Sequence, residues 1–337
     1  MANSTEEYGD YYYYNGGDDG SHSCQPPPGA GDFLCTAYSL TFALGLPANL
    51  LLLLVAGAQA WQRGPGAAPG PFVPALALAD LILVLPLPLW ADTWRREGSW
   101  RFSEEACRAG AYLAAAGAHA SVLLLALTSL ERLLAAARPG THGRLRPRSR
   151  ALLLALWVWA TALILAMPVL WRRGLEAPSS QQGATYCTET GTLPPGLSLA
   201  YWAGTFALPL GLILACNWEV GRRLRGGPLQ RRRRDRRMRR SVALVRAVAA
   251  AFAACWLPFR ALQAAGLANR WRGGAPSCSL CWAQEVTAPL AFASAVANPT
   301  VYLLCAEWPR RTLGCLLARR GSAEATGTLH TSSVTLG

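Results

Sequence analysis

Seven apolar stretches run through this chain of 337 residues, at 34–59, 71–94, 105–135, 149–171, 196–221, 241–267 and 280–305. Each reaches the roughly 18 residues needed to cross a hydrocarbon core. Lipid offers no partner for a backbone amide, so such stretches must be helices that satisfy their own polar groups. The predicted fold class is therefore an all-α membrane protein, a bundle of seven transmembrane helices. Only 15% of the residues are charged and 52% are hydrophobic, against the roughly 25% charged of a soluble domain. That excludes a freely soluble enzyme and a disordered chain, and ten cysteines are too sparse for a disulfide-built scaffold. A membrane enzyme or transporter is disfavoured as well. His119 is the only histidine in a span, no His-Glu-x-x-His motif occurs, and no inverted repeat of broken helices is visible.

The net charge of +13 comes entirely from arginine, and its distribution reports topology rather than nucleic-acid binding. Arg63 follows the first span. Arg138, Arg144, Arg146, Arg148 and Arg150 separate the third from the fourth, and a dense run from Arg231 to Arg240 separates the fifth from the sixth. With Arg310 and Arg311 beyond the seventh, every strongly basic connection falls on one face. That face is expected to be cytoplasmic and to meet anionic lipid, which places the N-terminus outside the plasma membrane. Four regions follow: an acidic, tyrosine-rich leader (1–33), the seven-span domain (34–307), a short amphipathic helix (308–320) and a Ser/Thr-rich tail (321–337). Asn3-Ser4-Thr5 is a glycosylation sequon that an external leader would expose.

Polar or kink-forming residues inside the spans are functional candidates because hydrocarbon makes them costly. They come in order: Asn49, Asp80, Glu131-Arg132, Trp159, Pro209, then Cys255-Trp256-Leu257-Pro258 and Asn298-Pro299-Thr300-Val301-Tyr302. One landmark per span in this order resembles the class A, rhodopsin-like G-protein-coupled receptors. Within that family the chain is most similar to apelin receptors of the peptide and chemoattractant branch, through Glu6 to Tyr11, Leu87-Pro88-Leu89-Trp90-Ala91, Trp100-Arg101-Phe102 and Leu165-Ala166-Met167-Pro168-Val169.

The resemblance implies specific roles. Cys107 and Cys187 would form the family's outer disulfide, and Cys24 would pair with Cys278, although spacing alone leaves Cys35 and Cys281 as rivals. Asp80, Ser121 and Asn298 would make a sodium pocket, with no other metal or cofactor expected. Glu131 and Arg132 would form the inner lock. Phe252, Trp256 and Pro258 would form a hinge and packing relay, with Pro299 and Tyr302 in the seventh-span switch. Ligand contacts would come from Trp90, Asp92, Tyr186, Glu189 and Glu285, with Tyr11 and Tyr12 in the leader. The acids among them would continue the leader's negative field inward toward a basic peptide. Cys315 would carry a palmitoyl anchor, and the tail would recruit arrestin once phosphorylated.

Three departures qualify the resemblance besides the tolerated Leu133 after Arg132: Asn217 stands where relatives carry a tyrosine, Ala295 and Ala297 replace polar or bulky neighbours just before Asn298-Pro299, and Pro309 replaces an aromatic anchor. Asn217 removes an active-state contact. The reading is thus a peptide receptor that engages a heterotrimeric G protein of the inhibitory type. The rival is an atypical chemoattractant receptor that scavenges ligand or recruits arrestin with weak coupling.

Overall fold

The apolar runs do become helices, and their breaks fall where proline removes an amide. The computed structural model describes residues 27–63, 72–137, 148–177, 185–190, 193–225, 232–274, 277–312 and 314–315. Among them, seven helices are long and apolar enough to cross a membrane: Ala30–Trp61, Phe72–Arg95, Glu104–Ala137, Ser149–Arg172, Gly196–Arg223, Arg239–Trp271 and Cys278–Cys305. We refer to these as the first to seventh spans. The expected leader sites Asn3, Tyr11, Tyr12 and Cys24 lie outside the described residues, as do Arg138, Arg144, Arg146 and the tail 321–337.

Three spans are not single α-helices. The second divides into Phe72–Val84 and Leu87–Arg95, because Pro86 and Pro88 withhold two amides from the ladder. The fifth carries a π-helical turn at Ala203–Ala207 just before Pro209, and the seventh divides into Cys278–Phe292 and Ser294–Cys305. The sixth is one helix, Arg232–Trp271, which runs through Pro258 and extends into the arginine-rich connection.

The third span is the axis of the bundle. Buried residues make up 72% of its apolar window against 17% for the fourth, which faces outward along most of its length. Close approach of the second span to this axis rests on Gly117. A Cβ there would stand 2.8 Å from both the Ala79 carbonyl oxygen and the Leu83 amide nitrogen, so the two backbones touch where a side chain would hold them apart.

Arg173–Glu176 (β1) and Tyr186–Glu189 (β2) pair antiparallel across one end of the bundle, with Leu175 opposite Cys187. We name this the outer end. The hairpin is held by the Cys107–Cys187 disulfide and by a reciprocal pair of bonds: Trp100 donates its amide to Thr185 at 2.7 Å, and the Thr185 hydroxyl donates back to the Trp100 carbonyl at 2.6 Å. At the opposite, inner end a further helical segment begins at 307 and is described through 312 and at 314–315. Trp308 packs it against the core.

Candidate functional site

Mid-bundle, the predicted polar trio converges. Asp80 is fully buried; Ser121 donates its hydroxyl to one carboxylate oxygen at 2.8 Å and Asn298 donates its amide to the other at 3.0 Å. The remaining amide oxygen of Asn298 is buried without a hydrogen bond. A carboxylate, a hydroxyl and an orphan amide oxygen form an all-oxygen donor set suited to a hard monovalent cation. Asn49 performs a different task. Pro299 has no amide, so the carbonyl of Ala295 four residues earlier loses its helical partner; Asn49 donates to that carbonyl at 2.7 Å and to Gly45 at 2.8 Å.

Directly above this trio sits Trp256, 4% exposed. Its indole N–H donates to the Ser294 hydroxyl at 3.0 Å, and its ring stacks on Phe252 with centroids 5.7 Å apart. Phe252 and Val122 share one buried core, and Pro209 of the fifth span is buried as well. Tyr302 is 3% exposed and lies near enough to Arg132 and Asp80 to sense both charges.

At the inner end Glu131 is 9% exposed, and the Nε of Arg132 is buried without an acceptor. Asn217, the departure from the family pattern, is not idle. Its amide donates to Ser129 on the third span at 3.2 Å, and its own carbonyl accepts from Arg246 of the sixth span at 2.5 Å. A second tie joins the sixth span to the segment beyond the seventh: Arg240 pairs with Glu307, and Arg311 donates to the same carboxylate at 2.9 Å. Cys315 is exposed and free.

The outer end corrects one expectation. Asp92 does not extend a negative field inward; Arg95, Arg96 and Arg101 all pair with it, the latter two at 3.0 and 3.1 Å. Glu189 is likewise held by Arg172 at 2.6 Å. Arg95 and Arg96 reach Asp92 from three and four residues along the same helical turn, and Arg101 returns to it after the chain reverses at Glu97 and Gly98, which take positive φ. Trp90 stands in an aromatic cluster with Tyr38 and Phe292, at centroid distances of 6.1 and 5.4 Å. Trp94 packs near Trp282 at 6.0 Å. Tyr186 lies on the hairpin, where burial raises its phenol above the ordinary value, and Glu285 is partly buried in the seventh span. Cys278 is disulfide-bonded, whereas Cys35 and Cys281 are free.

A family model for the seven-transmembrane receptors of the rhodopsin family matches residues 48–302. The chain belongs to that family. It is a receptor and not an enzyme, and it is a multi-pass membrane protein. It is 36% identical over 271 residues to the probable G-protein coupled receptor 25 of Mus musculus, covering 79% of this chain and 73% of that protein. Identity is 31% over 287 residues to G-protein coupled receptor 15 of Mus musculus, covering 83% and 78%. It is 30% over 283 residues to the B2 bradykinin receptor of Cavia porcellus, covering 76% and 74%.

Arg260 of this receptor escaped the motif search, and His119, weighed only against an enzyme, lies close to it. Arg260 lies one helical turn beyond Trp256, and its guanidinium sits over the rings of Trp256 and Phe206 at 5.3 and 5.4 Å. His119 bonds the Tyr201 hydroxyl at 3.0 Å. Arg260 was findable: an ionisable residue inside a span is a candidate by default, and it lies two residues after Pro258.

Proposed function

We propose that this receptor resides in the plasma membrane with its N-terminus outside and binds an extracellular peptide of apelin-like, basic character. In this reading it signals through a heterotrimeric G protein of the inhibitory type and is regulated by arrestin at the tail. The observation that carries the reading is the buried bond from Trp256 to Ser294. It joins an indole packed beneath the outer half of the bundle to the seventh span, one turn from Asn298 and hence from Asp80. A ligand that displaces the indole would exchange that bond for another and shift the population of an inward-open arrangement. Asp80, Ser121 and Asn298 would hold a sodium ion, whose positive charge would offset the burial of the carboxylate and favour the closed packing.

A second reading has its own support. Asn217 ties the third, fifth and sixth spans together at the inner end through Ser129 and Arg246, which favours an atypical receptor with weak G-protein coupling. The deciding experiment expresses the full chain in cells and measures inhibition of cyclic AMP and arrestin recruitment in parallel, against apelin-type peptides and basic chemoattractants. Both signals are expected. Arrestin recruitment alone would transfer the argument to the atypical receptor, and silence at verified surface expression would overturn the ligand class.

A further inference from the structure

The acids that a basic ligand would meet at the outer end already have partners, and the charge that lies deeper is positive. Asp92, Glu104 and Glu189 are all held by arginines. Arg260 is not matched in the same way. Of its five N–H donors, Nη1 meets the Gln263 side-chain oxygen at 3.1 Å, while Nε is buried with no acceptor. No carboxylate pairs with it among the described residues. The rings of Trp256 and Phe206 cover the guanidinium, and Trp202 donates its indole N–H to the Arg260 carbonyl at 3.1 Å. Aromatic faces attract a cation but cannot accept the hydrogen bonds of its edge.

The neighbouring polar pair brings no anion either. The guanidinium charge reaches both His119 and Tyr201. Tyr201 donates its hydroxyl proton to the Leu165 carbonyl at 2.9 Å, so the 3.0 Å bond from His119 must run from Nε2–H to the phenol oxygen. That assigns the tautomer and leaves Nδ1 buried without a partner. A guanidinium held in an apolar span without a counter-charge is expensive, and an arriving anion repays the cost of its burial.

We propose that Arg260 receives a carboxylate of the ligand, namely the free C-terminal carboxylate of a peptide, through a forked pair of hydrogen bonds. Guanidinium and carboxylate match in that geometry, whereas an ammonium binds as a point charge. The proposal rests on the peptide-receptor reading above and adds the polarity of the group that reaches deepest. A peptide end suits the site because residues 1–32 contain six acids and no arginine or lysine. A cationic body would be drawn by the leader, and an anionic end would pass on to Arg260. Binding there competes with the ring of Trp256 for the guanidinium and so acts on the residue that bonds Ser294.

The test makes each peptide of the cell panel in two forms, free acid and C-terminal amide, and applies both to the wild type and to Arg260→Gln and Arg260→Lys at matched surface expression. The acid should be at least about tenfold more potent than the amide on the wild type, the weight of one charge-assisted bond. Arg260→Gln should erase that preference, and Arg260→Lys should keep only part of it. Equal potency of acid and amide on the wild type, or a preference that survives Arg260→Gln, would overturn the proposal while leaving the receptor reading intact. A long-chain fatty acid acting in place of the peptide acids would overturn the peptide source.

A second measurement needs no agonist. Purified full-length receptor is titrated with N-acetylphenylalanine and with its amide while thermal unfolding is followed. Stabilisation by the acid alone, lost in Arg260→Gln, supports the site even if every peptide is silent in cells; identical responses to acid and amide would refute it.

Discussion

The inner tie between the fifth and sixth spans can be broken from either side. Arg246 donates to the Asn217 carbonyl at 2.5 Å and lies across Gly221, where an added Cβ would fall on the guanidinium. Arg246→Ala removes one charge-assisted hydrogen bond, which is worth about 1.5–3 kcal/mol in a dry setting. Arg246 is exposed, so water competes and about 1 kcal/mol is the fitting magnitude, or roughly fivefold in an equilibrium. If the inward-open arrangement holds about 1% of the unliganded receptor, it rises to about 5%, and basal inhibition of cyclic AMP should rise about fivefold at matched surface expression. Gly221→Ala should act in the same direction without removing a charge, because the new methyl displaces the end of a flexible side chain. The double variant should then signal no more than Arg246→Ala alone, since both changes break one bond. Fully additive effects, or basal signalling unchanged in all three variants, would refute the tie.

Further outcomes follow from the same structure. Asp80→Asn should abolish the dependence of agonist affinity on sodium, measured by replacing sodium with choline at constant ionic strength; an unaltered dependence would rule the pocket out. Gly117→Ala should destabilise the purified receptor by about 1–3 kcal/mol through overpacking, because both atoms facing the methyl belong to the backbone of the second span; thermal unfolding measures it. Glu307→Gln should raise basal signalling only slightly, and less at high salt, because its ion pairs with Arg240 and Arg311 are exposed. Asn217→Tyr should raise basal signalling, since it removes the bond to Ser129; unchanged basal and maximal responses would count against this role.

The spans were legible because the bilayer sets both their length and their polarity, and the predicted bounds agree with the helices to within a few residues. Helix ends were less so. Hydropathy marks the membrane rather than the hydrogen-bond ladder, so the sixth helix continues back to Arg232 through a run of arginines that apolarity could not register. The π turn at Ala203–Ala207 and the outer hairpin were invisible, since tertiary packing and the Cys107–Cys187 bond determine them rather than a local pattern. Asp80 and Asn298 were legible because polar groups are costly in hydrocarbon, whereas Ser121 joined them only through the family resemblance. Asp92 was misread because Arg95 and Arg96 were not weighed as its helical neighbours three and four residues on, and Arg101 closes on it only after the chain turns at Glu97 and Gly98. Trp308 replaces the anchor that Pro309 withholds, one position earlier than the pattern sought it.

The pairing of Asn49 with the Ala295 carbonyl makes what the first span tolerates at position 49 depend on a residue of the seventh. Pro299 creates a vacancy in the seventh span's ladder, and only an amide from the first span fills it. Losing Asn49 alone would strand a buried carbonyl, whereas replacing Pro299 alone would add the helix's own amide to an oxygen whose two lone pairs can accept both. A chain that lost both would recover an unbroken hydrogen-bond ladder and a satisfied backbone at that point. Position 299 can therefore change while Asn49 stays, but Asn49 can be lost without cost only after position 299 has regained an amide.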